Sequence, residues 1–336
     1  MSTILEIAKA AKVSPSAVSR IINGKDVAIR ISAKTRERVL RVAKELNYQP
    51  NLLARGLRSG KSNLIGAVFG PISLGILGEI IQGAEEAAAQ HGYGVILNTA
   101  VMDERQILSH LDLLEQKRVD GLIIRPPIFQ PTGEVCKRLC QLAKKGLPIV
   151  AVTGKFENAG IPCVYVDGKS IGIEATRHLL SCGHQNIWHL ARTPDVLEGY
   201  RQTMEEAERF SEKRVIQLSN NDWQSGYEAT KRLLKQDPCP NAIFASSDFA
   251  ALGTIRALKE SGLRTGVDTA VVGVDDLAVS ELLETPLTTV SQPKEEQGAK
   301  AVEMLFRLMA GENAPSVILQ PKLIVRDSAP MKSSRS

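Results

Sequence analysis

The sequence predicts two kinds of structure in one chain: a small all-α helix-turn-helix domain and a larger two-lobed α/β domain with parallel sheets. Three observations support this prediction. Two short helical segments near the N-terminus are joined by only three residues, strand-like runs then alternate with amphipathic helices, and that alternation occurs twice. A chain of 336 residues also exceeds what one small core usually covers, so several domains are expected.

The first two helices are predicted from caps and apolar spacing. The first covers residues 4–11, where apolar side chains recur on one face and Thr3 precedes them as a cap. After a three-residue connector, Ser14 can cap a second helix, Pro15 suits its first position, and Asn23 with the following glycine offers an exit. Two short helices joined this tightly are typical of a helix-turn-helix, whose second helix lies in the major groove of DNA.

A third helix is predicted after Ser32, its cap, with Val39, Val42 and Leu46 on the inner face.

The N-terminal region carries most of the positive charge of the chain. Residues 1–62 contain thirteen Lys and Arg against four Asp and Glu, a net charge of +9 in a chain of +5. This concentration indicates a polyanionic partner such as DNA, because a merely solvated surface mixes the two signs.

Six motifs in this region have an ordered spacing: residues 7–8, 13–14, 18–20, 23–24, 35–39 and 46–51, with the sequences IA, VS, VSR, NG, TRERV and LNYQPN. In that order they resemble the LacI/GalR family of bacterial transcriptional regulators. The resemblance implies a periplasmic-binding-protein-like fold for the larger domain. It also implies a sequence-specific DNA-binding regulator, a repressor that binds a palindromic operator as a homodimer and responds to a small-molecule effector, such as a sugar, in the cleft between lobes.

The resemblance divides the chain into three parts. The helix-turn-helix domain covers residues 1–49, a hinge helix 50–62, and the effector-binding and dimerisation domain 63–336. Within the hinge, Leu57 matches an apolar side chain that wedges between base pairs in the minor groove. Gly56 departs from this pattern, since glycine weakens a helix by about 1 kcal/mol relative to alanine. A flexible tether is the alternative for this segment.

Strands and helices are predicted in alternation after residue 63. Lobe 1 is expected to hold strands at 64–69, 93–97, 121–125 and 148–153 and helices at 76–90, 104–116 and 133–144. Lobe 2 is expected to hold strands at 187–191, 215–218, 242–245 and 270–274 and helices at 198–208, 225–235 and 250–261. Residues 164–166 and 288–290 are expected to pass between the lobes, and a helix at 294–309 to return to the first. Lobe 1 is thus assigned about residues 63–165 and 291–321, and lobe 2 about 166–290 and 322–330.

The candidate DNA-binding residues lie in the recognition helix and the hinge. They are Ser14, Pro15, Ser16, Ser19, Arg20, Asn23, Arg55 and Leu57. Arg20 and Ser16 are expected to contact base edges, because arginine to guanine is the commonest such pair, and Pro15 offers an apolar contact. Ser14 and Ser19 are expected to hold phosphates.

The candidate effector-binding residues follow the predicted strands, because ligands of such folds bind outside the carboxyl ends of the strands. They are Ser73, Asn98, Thr153, Lys155, Trp223, Ser247, Asp248 and Asp275. An aromatic face together with carboxylates and amides suits a sugar, and by resemblance Asp275 matches the family's effector-binding aspartate. Val196 stands where many relatives have an arginine that grips the effector. A changed effector, or a DNA-binding regulator with no ligand switch, remains an alternative.

Other functional classes fit the residues less well. A solute-binding protein shares the two-lobed core, but the chain has a basic first domain and no predicted signal peptide. Residues 168–172 match the Gly-x-Ser-x-Gly pattern of hydrolases, but the only later histidines, His178, His184 and His189, lie within twenty residues of Ser170 and before the second lobe is built. A helix start that follows the crossover is the better interpretation of this segment. Five scattered cysteines form no paired Cys-x-x-Cys motif for zinc. We therefore expect no enzymatic activity, metal, cofactor or membrane partner, and a cytoplasmic location.

Overall fold

The computed structural model of the chain describes residues 3–22, 31–48, 61–71, 75–99, 103–125, 133–154, 156 and 160–331. It divides into two compact units, residues 1–62 and 63–336. Five of the proposed site residues lie outside the described residues: Asn23, Arg55, Leu57, Ser73 and Lys155. None of the helices in the described ranges has the length and apolar character needed to cross a membrane.

The described part of the first unit contains three short helices: α1 (Ile4–Ala11), α2 (Pro15–Ile22) and α3 (Ala33–Glu45). α1 begins in a capping box, in which Thr3 Oγ1 accepts a hydrogen bond from the Glu6 N–H and the Glu6 carboxylate accepts one from the Thr3 N–H. α1 ends at Lys12, whose left-handed φ of 53° turns the chain toward α2. The three helices share one small apolar core, which contains Ile7, Ala8, Ala11, Val18, Ile21, Val39 and Val42.

The second unit contains two six-stranded sheets, each the centre of one lobe. Lobe 1 begins with β1 (Leu64–Phe69), α4 (Ile76–Gln90), β2 (Gly94–Thr99), α5 (Glu104–Gln116), β3 (Gly121–Ile124), α6 (Glu134–Lys144), β4 (Ile149–Val152) and β5 (Cys163–Val166). Lobe 2 follows with α7 (Gly168–Ser181), β6 (Ile187–Ala191), α8 (Pro194–Glu206), β7 (Val215–Gln217), α9 (Trp223–Leu233), β8 (Ala242–Ala245), α10 (Asp248–Glu260), β9 (Ala270–Asp275), α11 (Ala278–Glu281) and β10 (Thr288–Ser291). The last elements are α12 (Lys294–Met309), β11 (Val317–Leu319) and β12 (Lys322–Ile324).

The strand order shows how the chain passes between the lobes. The lobe 1 sheet has the order β11-β5-β4-β3-β1-β2 and is parallel, and the lobe 2 sheet has the order β12-β10-β9-β8-β6-β7, with only the β10–β12 pair antiparallel. α12 and β11 belong to lobe 1 and β12 to lobe 2, so the chain crosses between the lobes after β5, after β10 and after β11. Parallel pairing brings the carboxyl ends of the strands to one edge in each sheet.

Burial on both faces explains the apolar composition of the central strands, since β3 and β4 are buried at every position. The helices above them approach closely. A Cβ added at Gly298 of α12 would lie 1.9 Å from the Ile80 carbonyl oxygen of α4, and one at Gly83 would lie 2.1 Å from the Glu295 carbonyl oxygen. The α4–α12 crossing therefore requires glycine at both positions.

The structure confirms the predicted fold class and moves several element bounds. α8, α9 and α10 begin at Pro194, Trp223 and Asp248, two to four residues earlier than predicted, because the capping residues lie further upstream. Residues 164–166, predicted to pass between the lobes, lie in strand β5 of lobe 1, and the chain crosses to lobe 2 directly after them. This short segment becomes a strand because its backbone pairs with β4 and with β11, which arrives from the far end of the chain.

Candidate DNA-binding surface and effector cleft

The second helix of the first unit, α2, starts at a serine cap and is anchored by one apolar face. Ser14 Oγ accepts a hydrogen bond from the Ala17 N–H at 3.2 Å and lies 2.9 Å from Ser16 Oγ. Val18 and Ile21 are 0% and 2% exposed and belong to the three-helix core. This anchoring determines which residues of α2 remain outside.

The outer face of α2 carries the predicted DNA contacts. Pro15, Ser16 and Arg20 are exposed, as is the capping residue Ser14, and Ser19 is half-buried. Lys12 is also exposed in the turn before α2. Sequence reasoning did not select Lys12, although a cation in the turn of a helix-turn-helix could have identified it. The result is a polar, cationic surface of the kind that suits phosphates and base edges.

In the second unit, polar residues gather at the edge where the strands end. In lobe 1, Asn98 is the penultimate residue of β2, while Arg125 follows β3 and Thr153 follows β4. In lobe 2, Asp275 is the last residue of β9. Open α/β sheets bind ligands at this edge, and here the two edges meet in a cleft between the lobes.

Arg125 is a cation at the lobe 1 edge of this cleft, and sequence reasoning missed it. Its Nε donates a hydrogen bond to Thr153 Oγ1 at 2.9 Å, and Thr153 has a left-handed φ of 60°. Burial lowers the pKa of Arg125, while the Asp275 carboxylate acts in the opposite direction. A basic residue directly after a fully apolar strand was the available indication, but the predicted strand 121–125 had absorbed it.

Asp275 lies on the lobe 2 side of the cleft. Its φ of 112° is uncommon for a residue with a side chain, and Gln292 Nε2 donates a hydrogen bond to its Oδ1 at 2.6 Å. Burial, and after it the neighbouring Asp248 carboxylate, raises the pKa of Asp275 well above its usual value, although Gln292 and Lys294 oppose the change.

Lys294, at the start of α12, joins the two lobes. Its Nζ lies 2.8 Å from Glu79 Oε1 in lobe 1 and donates to the carbonyl oxygens of Asp275 and Asp276 in lobe 2, each at 2.9 Å. The side chain is only 6% exposed. One buried ammonium group therefore connects α4 to the end of β9, beside the second crossing.

Asp248 does not reach the cleft, which corrects the expectation that it contacts the effector. It is 0% exposed, and its carboxylate accepts hydrogen bonds from Thr289 Oγ1, Ser280 Oγ and the Leu277 N–H at 2.6 to 2.8 Å. Burial raises the pKa of Asp248 to about 6. Its partners lie within lobe 2, so it supports β10 and α11. Ser247 caps α10 by accepting from the Ala250 N–H at 3.1 Å.

Trp223 and Asn98 occupy different surroundings. Trp223 is the first residue of α9, is 40% exposed, and has the Arg256 guanidinium 5.3 Å from its ring centroid. Asn98 is half-buried, and its Nδ2 has no hydrogen-bond partner among the described residues. Val196 is buried in the core of lobe 2 and presents no polar group.

The serine of the Gly-x-Ser-x-Gly segment belongs to a helix start. Asp167 caps α7 by accepting from the Lys169 and Ser170 N–H groups, and Ser170 Oγ donates to Asp167 Oδ2 at 2.7 Å. His178 Nε2 donates to the Ala329 carbonyl oxygen at 2.7 Å, and so serves the packing of lobe 2. A cap therefore accounts for Ser170, as the sequence predicts.

Comparison with known proteins gives this architecture a family. A model described as periplasmic binding proteins and sugar binding domain of the LacI family matches residues 66–327, and one described as bacterial regulatory proteins, lacI family, matches residues 3–51. The fold and the two sites thus define a DNA-binding transcription regulator with an effector-binding domain. The chain belongs to the LacI family.

Relatives match this chain over almost its full length. The HTH-type transcriptional regulator DegA of Bacillus subtilis is 32% identical over 97% of this chain and 98% of its own. The HTH-type transcriptional repressor PurR and the ribose operon repressor of Haemophilus influenzae are 33% and 30% identical, each over 98% of both chains. These relatives are transcription regulators and not enzymes.

Solved structures of other regulators are also similar to this chain. The lac repressor dimer bound to operator and the anti-inducer ONPF has a TM-score of 0.86 at 28% identity, covering 98% of this chain and 99% of that one. The transcriptional regulator CelR in complex with cellobiose has a TM-score of 0.70 at 29% identity, covering 98% and 100%. The predicted family and the function of a DNA-binding transcription regulator are confirmed.

Proposed function

We propose that this chain represses transcription as a homodimer that binds a palindromic operator and responds to a small molecule in the cleft between its lobes. The observation that carries the proposal is α2, which exposes Pro15, Ser16 and Arg20 on a unit of net charge +9. A two-fold dimer presents two such helices to two half-sites. The lac repressor structure is described as a dimer bound to operator, which supports this stoichiometry. A regulator of bacterial operators acts in the cytoplasm.

On the DNA, Arg20 and Ser16 contact base edges, Pro15 makes an apolar contact, and Ser14 and Ser19 hold phosphates. Support comes from their exposure opposite the buried Val18 and Ile21. Asn23, Arg55 and Leu57 complete the DNA-binding set. The division into a DNA-binding domain (1–49), a hinge helix (50–62) and an effector domain (63–336) belongs to the same proposal.

In the cleft, Asn98, Thr153 and Asp275 contact the effector, with Ser73, Lys155, Trp223 and Ser247 as further members of the set. Thr153 and Asp275 belong to different lobes, so a ligand that touches both changes the relative stability of open and closed arrangements. That change alters the spacing of the two hinges in a dimer. The cellobiose complex of CelR and the name of the ribose operon repressor support a carbohydrate or a related metabolite.

Selection of bound sites from random duplexes tests this function. Purified full-length protein is expected to enrich a palindromic sequence of two half-sites, and pooled metabolites are expected to change the enrichment. Equal enrichment with and without metabolites would favour the regulator that has no ligand switch. No enrichment of any duplex at moderate ionic strength would contradict the proposal.

The base contact of Arg20 can be tested on the selected site. Arg20→Ala is expected to cost about 1–3 kcal/mol of binding free energy there and much less on random duplexes, because a base contact carries sequence information and a phosphate contact does not. Arg41→Ala is the matched control, since Arg41 is exposed on α3 and its loss removes the same charge. An equal loss on both kinds of DNA in a gel-shift titration would refute base recognition by Arg20.

A further inference from the structure

We propose that the effector carries an anionic group, a carboxylate or a phosphate on a hydroxyl-bearing body, and that Arg125 holds this group. The inference rests on the proposed function, because it assigns ligand chemistry to the same cleft. It is carried by the position of the Arg125 guanidinium, by its single hydrogen-bond partner among the described residues, and by the polar group on the opposite wall.

The backbone and the side chain of Arg125 are both held in place. The Arg125 N–H donates to the Val68 carbonyl oxygen at 3.0 Å, which extends the β1–β3 pairing by one residue. Its Nε donates to Thr153 Oγ1 at 2.9 Å. Two neighbouring strands therefore orient the guanidinium before any ligand arrives, as a binding group requires.

Among the described residues, the neutral Thr153 hydroxyl is the one hydrogen-bond partner of this guanidinium. Two carboxylates of the cleft are engaged elsewhere: Asp275 accepts from Gln292 at 2.6 Å, and Glu79 lies 2.8 Å from the Lys294 ammonium. The Arg125 side chain is half-buried, and a partly desolvated cation is stabilised when an anion meets it. The cleft thus contains a half-buried cation with no hydrogen-bonded anion in the described parts of the chain.

Beside the guanidinium, the chain continues from β1 with a glycine. A Cβ built on Gly70 would be 3.6 Å from Arg125 Nη1. Glycine at this place contributes no side chain over the terminal nitrogens. The planar fork of an arginine matches a carboxylate or a phosphate in two parallel hydrogen bonds, which a neutral hydroxyl cannot supply.

The opposite wall favours a body with hydroxyl groups. Asp275 Oδ1 takes the hydrogen bond from Gln292, and no described residue donates to Oδ2. Burial raises the pKa of Asp275, so this side chain repels an anionic ligand less than a fully ionised aspartate would. A hydroxyl group of the ligand can form a hydrogen bond with Asp275 Oδ2. Sugar acids and sugar phosphates combine the two required features.

Binding of matched probes to the full-length protein tests the inference. Glucose, gluconate, glucose 6-phosphate and inorganic phosphate are compared by thermal stabilisation and by isothermal titration calorimetry. At least one anionic probe is expected to bind while glucose does not, and the stronger of gluconate and glucose 6-phosphate distinguishes a carboxylate from a phosphate. Arg125→Gln is expected to weaken that binding by about tenfold to a hundredfold.

Two further variants keep the test decisive. Arg125→Lys retains the charge without the fork and is expected to fall between the wild type and Arg125→Gln. Arg118→Gln, at the exposed opposite end of β3, should bind as the wild type does. The inference is overturned if no anionic probe stabilises the protein, or if the wild type and Arg125→Gln bind glucose equally. In either case the wild type would still select an operator sequence from random duplexes. Failure of operator selection by the wild type would instead contradict the proposed function.

Discussion

His189 in β6 is expected to make lobe 2 sensitive to acid. Its ring is fully buried, with centroids 4.5 Å from the Phe244 ring and 4.9 Å from the Tyr200 ring. Nδ1 donates to the Phe244 carbonyl oxygen at 3.0 Å, and Nε2 has no hydrogen-bond partner among the described residues. A protonated ring would bring a charge and an unpaired donor into this apolar site, so burial lowers the pKa of His189 to about 4.

The effect of His189 on the free energy of unfolding follows from its pKa in the folded and unfolded states. The pKa of an unfolded-state histidine is about 6.5, so above that pH the ring is neutral in both states and stability is unaffected. As the pH falls from 6.5 toward 4, the unfolded state binds a proton that the folded state does not, and stability decreases. With a folded-state pKa of about 4, the loss is about 2 kcal/mol at pH 5 and approaches about 3 kcal/mol below pH 4.

Urea unfolding followed by tryptophan emission measures this loss of stability in lobe 2, because both tryptophans, Trp188 and Trp223, lie in that lobe. In His189→Asn the amide can replace the Nδ1 donor but cannot take up a proton. The variant is expected to be less stable than the wild type at pH 7.5, and the gap should narrow by about 2 kcal/mol at pH 5. His91→Asn, at an exposed position of lobe 1, is the control. A gap that does not change between these pH values would refute the reasoning.

Two substitutions test the packing between elements. Gly298→Ala should destabilise the chain by about 1–3 kcal/mol in urea unfolding, because its Cβ would meet the Ile80 carbonyl oxygen. Gly78→Ala, where a Cβ meets nothing within 4 Å, should be neutral or stabilising, and equal effects would contradict this steric account. Lys294→Met should cost about 2 kcal/mol, because three oxygen atoms lose one ammonium partner. The exposed ion pair between Lys300 and Glu303 should contribute far less to stability. A loss of the same size in Lys300→Met would therefore argue against a special role for Lys294.

The sequence by itself determined the architecture and the exposed face of α2. Helical spacing, the caps at Thr3, Ser14 and Ser32, and the repeated alternation of strands and helices are local properties, and each depends on residues a few positions apart. The motif order also pointed to the family. The same local pattern located the end of each parallel strand to within two residues, so the edge of each sheet could be located without coordinates.

Only the tertiary structure decided which polar residues at that edge face the cleft. Asp248 and Asp275 both lie where strands of lobe 2 end, yet Asp248 is enclosed by Ser280 and Thr289, 32 and 41 positions further along the chain. Arg125 was hidden at the end of an apolar strand, and its orientation comes from Thr153, 28 positions away. Burial and pairing of a side chain depend on neighbours brought together by folding. Periodicity identifies the element on which a residue lies, but it does not identify those neighbours.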